Sequence, residues 1–229
     1  MKIGIMQPYF MPYIGYFQLI NTVDKYVIYD DVQYIKGGWV NRNNILLNEK
    51  RHLINLLLSG ASPNKTINSI DIQQTQTKLI KTIENAYKKA PLFSKVFEVF
   101  MKIFEFKDQN LAAFLGNSIV ELCNYMSIKT EIIFSSVIEK DYELKGKDKV
   151  IYICEFLDAD HYINAIGGRT LYDKEDFNNH NIKLQFLETE ITPYPQFKNE
   201  FVPNLSILDV MMFNSVKDIN KMLDNYDLI

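Results

Sequence analysis

Residues 2–32, KIGIMQPYFMPYIGYFQLINTVDKYVIYDDV, decide the fold. Lys2–Met6 is a short apolar run with β-branched Ile3 and Ile5, and it reads as a buried strand that Gln7 and Pro8 end. From Gly15 to Val23 the apolar Phe17, Leu19, Ile20 and Val23 recur near helical spacing, which predicts a short helix. Tyr26–Val32 reads as a second strand that finishes in two carboxylates, Asp30 and Asp31. Strand, helix and strand within about 32 residues match a βαβ unit, whose strands lie parallel and whose crossover is right-handed.

Working outward, residues 35–43 (IKGGWVNRN) form a turn-rich loop in which Gly37 and Gly38 supply backbone freedom. Residues 45–58 (ILLNEKRHLINLLL) alternate about the polar centre Asn48-Glu49-Lys50 and predict a β-hairpin. Ile70–Ile72 reads as a short strand. Lys78–Lys89, Phe93–Phe106 and Leu111–Met126 carry apolar residues at three- and four-residue steps and read as helices. The stripe Phe93, Val96, Phe97, Phe100, Ile103 and Phe104 is core-forming at this spacing. The last third alternates: strand Glu131–Phe134, helix Lys149–Leu157, strands Tyr162–Ala165 and Ile182–Leu187, then helices Ser206–Phe213 and Val216–Leu223. Ser206 followed by Asp209 resembles a helix-capping box. The expected fold is therefore α/β, one domain over residues 1–229, with a mostly parallel sheet, flanking helices, an N-terminal Rossmann-like βαβ unit and a helical insertion at about 76–127.

Composition bounds the function. The 229 residues are 47% hydrophobic, enough for a sizeable core, and a net charge of −3 argues against a nucleic-acid partner. No apolar run is long enough to span a bilayer, and Gln7, Pro8 and Pro12 interrupt any secretory signal, so a cytoplasmic protein with no membrane partner is expected. Cys123 and Cys154 lie in apolar helical segments and read as reduced thiols, and no Cys/His cluster calls for a metal. GxGxxG, P-loop and GxSxG patterns are absent, and none of the three histidines stands in a nucleophile motif. No residue pattern specifies a cofactor or an oligomeric state.

In open parallel sheets, ligands bind beyond the carboxyl ends of the strands. Three groups fall there: Gln7, Pro8 and Tyr9 after the first strand; Asp30, Asp31 and Gln33 after the second; Asn164, Gly167, Gly168 and Arg169 after a late one. The crowd of Tyr9, Phe10, Tyr13, Tyr16 and Phe17 then has two readings, as one wall of that rim or as packing beneath the helix. Asp30 and Asp31 point to opposite faces and do not make a tight acid–base pair. One would orient a substrate hydroxyl or bind an ammonium, while the other makes a surface hydrogen bond. Residues 36–43 hold the only tryptophan, Trp39, with Lys36, Arg42, Asn41 and Asn43, a combination suited to a phosphate beside a stacked ring, or equally to a half-buried tryptophan approaching the hairpin.

GIMQPYFMPYIGYFQLI, DKYVIYDDVQYIKGGWVNRN, NAIGG and FVPNLSILDVMM together resemble the WbqC-like family, from end to end of the chain. The matching positions are Gln7, Pro8, Tyr9, Pro12, Gly15, Tyr16, Asp30, Asp31, Trp39, Asn41, Arg42, Gly167 and Ser206. The resemblance implies a setting in bacterial O-antigen and surface polysaccharide synthesis, and transfer of glycine or a similar acyl group to an amino sugar. The partners it implies are a nucleotide-linked amino sugar and an activated acyl donor. On that expectation Arg42 and Lys36 hold the diphosphate, Trp39 a ring face, and Tyr9, Tyr13 and Tyr16 the sugar or donor. Asp30 or Asp31 accepts the amine proton, Gln7 and Asn41 donate to the oxyanion, and Asn164, Gly167 and Arg169 complete the substrate rim. A second similarity is to nucleotidyltransferases of the HIGH-motif superfamily, with Gly15-Tyr16 standing where those enzymes place glycine and histidine. A non-catalytic partner in polysaccharide assembly is the third reading.

Overall fold

The computed structural model describes every residue except Tyr142 and Asn199. In chain order the strands and α-helices are β1 (Lys2–Met6), α1 (Ile14–Thr22), β2 (Lys25–Ile28), β3 (Arg42–Leu47), β4 (Lys50–Asn55), β5 (Leu58–Ser59), β6 (Asp71–Ile72), α2 (Thr77–Tyr87), α3 (Phe93–Phe104), α4 (Leu111–Met126), β7 (Glu131–Phe134), α5 (Gly146–Phe156), β8 (His161–Ala165), α6 (Lys174–Asn178), β9 (Lys183–Thr189), α7 (Ile207–Phe213), α8 (Val216–Leu223) and β10 (Tyr226–Leu228). Helix α6 and strand β10 have no counterpart in the sequence reading, being five and three residues long. Strand β2 stops at Ile28, so Tyr29, Asp30 and Asp31 lie beyond the strand and not within it.

Six strands form the main sheet in the order β10-β9-β8-β1-β2-β7. All neighbours are parallel except the antiparallel edge pair β10–β9. The chain moves outward from β1 to β2 and β7, then returns to the other side of β1 for β8 and β9, so the winding direction switches between β1 and β8. That is the place where open α/β sheets take ligands.

Strand alternation divides the core. Ile3 and Ile5 of β1, Val27 of β2, Tyr162 of β8 and Leu184 and Phe186 of β9 face a cluster with α5 and with Phe177 of α6. Tyr26, Ile28, Ile163 and Leu187 face the opposite cluster with α1, α4 and α8. Both faces are thus covered, as a parallel sheet requires. Helices α2, α3 and α4 pack into the second cluster through Leu79, Ile83, Val96, Phe100, Ile103 and Phe114. The hairpin β3–β4 stands outside the main sheet. Its turn residues Asn48 and Glu49 both have positive φ, 50° and 65°, the conformation that matches strand twist in a two-residue hairpin turn. Among the described residues no helix is long and apolar enough to cross a membrane.

Candidate functional site

Because β1 pairs in parallel with both β2 and β8, the segments starting at Gln7, Tyr29 and Ile166 leave the sheet at the same edge. The side chains on that edge are committed in different ways. Asp30, only 2% exposed, accepts from the Ser136 amide at 3.0 Å through Oδ1, and Asn68 Nδ2 lies 3.5 Å from Oδ2. Its carbonyl accepts from the Asn68 amide at 3.0 Å. Asp30 therefore ties the end of β2 to residues 67–69 and to the end of β7.

Asp31 lies between two lysines. Lys149 Nζ is 3.0 Å from Oδ1 and Lys140 Nζ 2.9 Å from Oδ2. The two lysine side chains are 8% and 1% exposed. Lys149 also donates to the Asp31 carbonyl at 3.0 Å, and its ammonium sits 5.1 Å from the centre of the Tyr29 ring. Lys140 donates to the carbonyls of Ser135 and Ile138. Partial burial pushes the Asp31 carboxyl up, but hydrogen bonds from Lys140, Ser135 and Lys149 outweigh it and hold the group below its ordinary range. Neither carboxylate is thus a free base, contrary to the expectation that one would take a proton from substrate. Lys140 and Lys149 escaped sequence reading because no local motif singles either out among the lysines of residues 140–149, and only the tertiary fold brings them to Asp31.

Asn164 is buried, its Oδ1 accepts from the Ala165 amide at 2.8 Å, and its amide packs so closely on Gly168 that a Cβ there would lie 2.3 Å from Nδ2. Gly167 and Arg169 are exposed on the short turn that follows. The Asn164, Gly167 and Arg169 side of the edge does not line the cleft described next.

The opening aromatics divide cleanly. Phe10, Tyr16 and Phe17 are buried at 0–1% exposure, with Met11 beside them at 0%. Tyr16 packs edge-on to Phe17 and Tyr26 and donates to the Gln7 carbonyl at 3.0 Å. Its burial drives its pKa far up, so it is a neutral core phenol and not the catalytic residue the motif position implied. Tyr9 and Tyr13 instead face a cleft of about 310 Å³ that they line with Pro12, Trp39, Asn43 and Asn204. Burial raises both phenol pKa values, more than the hydrogen bond to Thr189 lowers that of Tyr13, so both are neutral donors near pH 7.

Each wall has a local cause. The Phe10 amide donates to the Trp39 carbonyl, and Asn43 Nδ2 donates to the carbonyls of Phe10 and Met11 at 3.2 and 2.7 Å. Met11 takes φ 45°, a left-handed kink that exposes its carbonyl to Asn43 and to Ser206 Oγ at 2.8 Å. The Ser206 amide donates to Asn44 and the Ile207 amide to Pro12. The segment around Asn204 is thereby stitched to both the first loop and the hairpin. Ser206 caps α7 through Leu208, but Asp209 does not complete a capping box. Its carboxylate, 0% exposed, turns inward to Tyr87 Oη at 2.7 Å, Tyr194 Oη at 2.8 Å and Gln196 Nε2 at 2.6 Å. Burial without a cation raises its pKa despite those three donors.

Trp39 is 45% exposed, and the Arg42 guanidinium carbon lies 5.7 Å from its ring centre. Only Nε of Arg42 is spent within the fold, on the Gly38 carbonyl at 3.0 Å, and among the described residues no carboxylate pairs with it. Among the described residues its two terminal nitrogens have no hydrogen-bond partner, and they lie beside the Trp39 wall of the cleft. Lys36 is exposed on the same loop. Asn41 Oδ1 accepts from Tyr34 Oη and its Nδ2 donates to the Leu56 carbonyl, so its side chain braces the loop and it does not line the cleft. The Gln7 side chain is half-buried and does not line the cleft. Asn43 and Asn204 are the cleft residues that sequence reading did not assign. Asn43 stood in the quoted WVNRN stretch and Asn204 in the quoted FVPNLSILDVMM stretch, but neither was given a role there.

The architecture is that of an α/β protein with a mostly parallel sheet and an aromatic cleft built from three separated sequence motifs. The chain belongs to the WbqC-like protein family, whose model matches residues 7–221. It is similar to Rv1507c, an uncharacterized protein of Mycobacterium tuberculosis, with 29% identity over 220 residues and 93% of each chain covered. No solved structure matches it significantly.

Proposed function

We propose that this protein is a transferase that acylates the amine of a nucleotide-linked amino sugar, in the surface-polysaccharide setting that the family resemblance implies. The observation that carries the reading is the cleft: three aromatic side chains, Tyr9, Tyr13 and Trp39, beside two amides and next to an arginine with free terminal nitrogens. Aromatic faces take sugar rings or bases, amides read hydroxyls, and a guanidinium clamps phosphate in bidentate fashion. The amine nitrogen attacks the carbonyl of an activated donor, a thioester or acyl phosphate. An amide N–C bond forms, the C–S or C–O bond breaks, and the leaving group departs with the electron pair. The surplus amine proton passes to that leaving group or to water, since Asp30 and Asp31 are both occupied. The enzyme's share is alignment and stabilisation of the oxyanion.

Trp39 is the only tryptophan, so its fluorescence reports on the cleft. Titration with uridine-, thymidine- and guanosine-diphosphate-linked amino sugars is expected to give saturable quenching with at least one of them. Arg42→Gln is expected to weaken that binding about tenfold, or about 1.4 kcal/mol. Absence of any signal by fluorescence and calorimetry across the panel refutes the reading.

The strand order favours a second reading, a nucleotidyl transfer site at the switch between β1 and β8. The start of α1 speaks against it. A Cβ on Gly15 would lie 2.2 Å from Thr189 Oγ1 and 2.5 Å from the Tyr13 ring, so protein already covers the surface that a phosphate would approach. Pyrophosphate release from ATP with candidate acids or sugars would reinstate it.

A further inference from the structure

The geometry points to Asn204 as the donor that holds the acyl oxygen, with an adjoining dent that limits the acyl chain to one or two carbons; this inference rests on the transferase reading above. The dent meets the aromatic cleft along a boundary made by Tyr13 and Asn204, the two residues that line both. Beyond that boundary its lining is mostly apolar, from Ile14, Ile191, Phe201, Leu205, Val210 and Met222, with Gln18, Glu190, Thr192 and Tyr194 as its polar members. Its free volume is about 20 Å³, close to that of one water-sized group. A sugar seated against Tyr9 and Trp39 presents its amine at that boundary, and the short chain of the donor enters the dent from the same place.

The two cleft amides differ in their freedom. Asn43 spends its nitrogen on Phe10 and Met11, whereas the Asn204 amide, on an exposed residue, has no hydrogen-bond partner among the described residues. The position of Asn204 is well determined, because Ser206 and Ile207 bind the backbone just after it to Asn44, Met11 and Pro12. On attack the carbonyl oxygen gains negative charge, and Asn204 Nδ2 donates to it. The tetrahedral centre then collapses with loss of thiolate or phosphate, and the surplus amine proton goes to that leaving group or to water.

Asn204 also has φ 57°, a left-handed conformation that asparagine and glycine tolerate best. A purely backbone role would therefore survive Asn204→Gly, and a donor role would not. The assay is amide formation by mass spectrometry, with the same nucleotide-sugar panel and coenzyme A thioesters and acyl phosphates of two, four and eight carbons. The wild-type protein is expected to transfer the two-carbon group far faster than the eight-carbon group. Asn204→Gly is expected to keep its melting temperature while kcat falls about a hundredfold or more and KM for the sugar changes far less. Ile191→Ala, at a residue 39% exposed and so harmless to folding, is expected to raise the four-carbon rate relative to the two-carbon rate. Wild-type transfer by Asn204→Gly, or equal rates for all chain lengths, overturns the inference alone. Failure of the wild-type protein to transfer any group overturns the transferase reading and this inference with it.

Discussion

Replacing Asp31 by asparagine keeps the shape of the side chain and removes the charge that two buried ammonium groups share. Lys140 and Lys149 would remain, 1% and 8% exposed, with no counter-ion within reach. At about 3 Å and an effective dielectric near 20, each pair is worth roughly 5–6 kcal/mol before desolvation is counted. Breaking a buried pair by removing one partner costs about 3–5 kcal/mol net. For a chain of this size that corresponds to a fall in melting temperature of roughly 6–20 °C. The pH dependence has a definite sign. The folded-state pKa of Asp31 lies below the ordinary 3.8, so its stabilisation is complete above that value and is lost as pH falls through the folded pKa. The gap between wild type and Asp31→Asn is therefore widest at neutral pH and narrows below pH 3.8. Urea unfolding followed by circular dichroism at pH 7 and pH 3 measures it, and Lys149→Met added to Asp31→Asn is expected to restore part of the loss. A penalty under about 1 kcal/mol, or one that does not narrow in acid, would show that the ion triad is not a structural tie.

Asp209 is expected to behave with the opposite sign, because its folded pKa is raised: wild-type stability falls as pH rises from 3.8 through the folded value, and Asp209→Asn, which cannot ionise, shows a flatter profile in urea melts over that range. Asp209→Ala leaves Tyr87, Tyr194 and Gln196 without their acceptor and is expected to cost about 1–3 kcal/mol for each donor that water cannot reach, read as a drop in melting temperature. Gly15→Ala forces Thr189 and the Tyr13 ring aside, for about 1–3 kcal/mol by thermal unfolding and a changed Trp39 emission maximum as the cleft wall shifts. Gly168→Ala drives a methyl into the Asn164 amide and is expected to cost a similar amount by the same unfolding assay while leaving Trp39 emission unchanged, because neither residue lines the cleft.

The strength of local signals explains which parts of the molecule were legible. Strand β1, helix α1, hairpin β3–β4 and helices α2 to α4 each combine a clear apolar period with Gly, Pro or Asn at the ends, and the expected bounds fall within a few residues of the observed ones. Strand β2 was read four residues too long, because residues 29–32 keep the polar–apolar mixture of a strand while the Asp30 and Asp31 side chains bind partners outside the sheet. Strand β10 was invisible for a related reason. Tyr226-Asp227-Leu228 has no pattern of its own and is held by the edge of β9.

By itself the sequence determined the α/β class, the parallel pairing of β1 with β2 and the clustering of aromatic residues after the first strand, which follow from periodicity and composition over short windows, and the family, which follows from the resemblance of four longer motifs. Only the tertiary structure decided the division of those aromatics, with Tyr16 in the core and Tyr9 and Tyr13 at the cleft. It also decided that Asp30 and Asp31 are structural ties and that Asn204 joins Trp39 across the chain. The physical reason is that burial and hydrogen-bond commitment belong to pairs of residues far apart in sequence. A carboxylate is free or occupied according to the lysine or amide that the fold brings to it, and no local pattern records that.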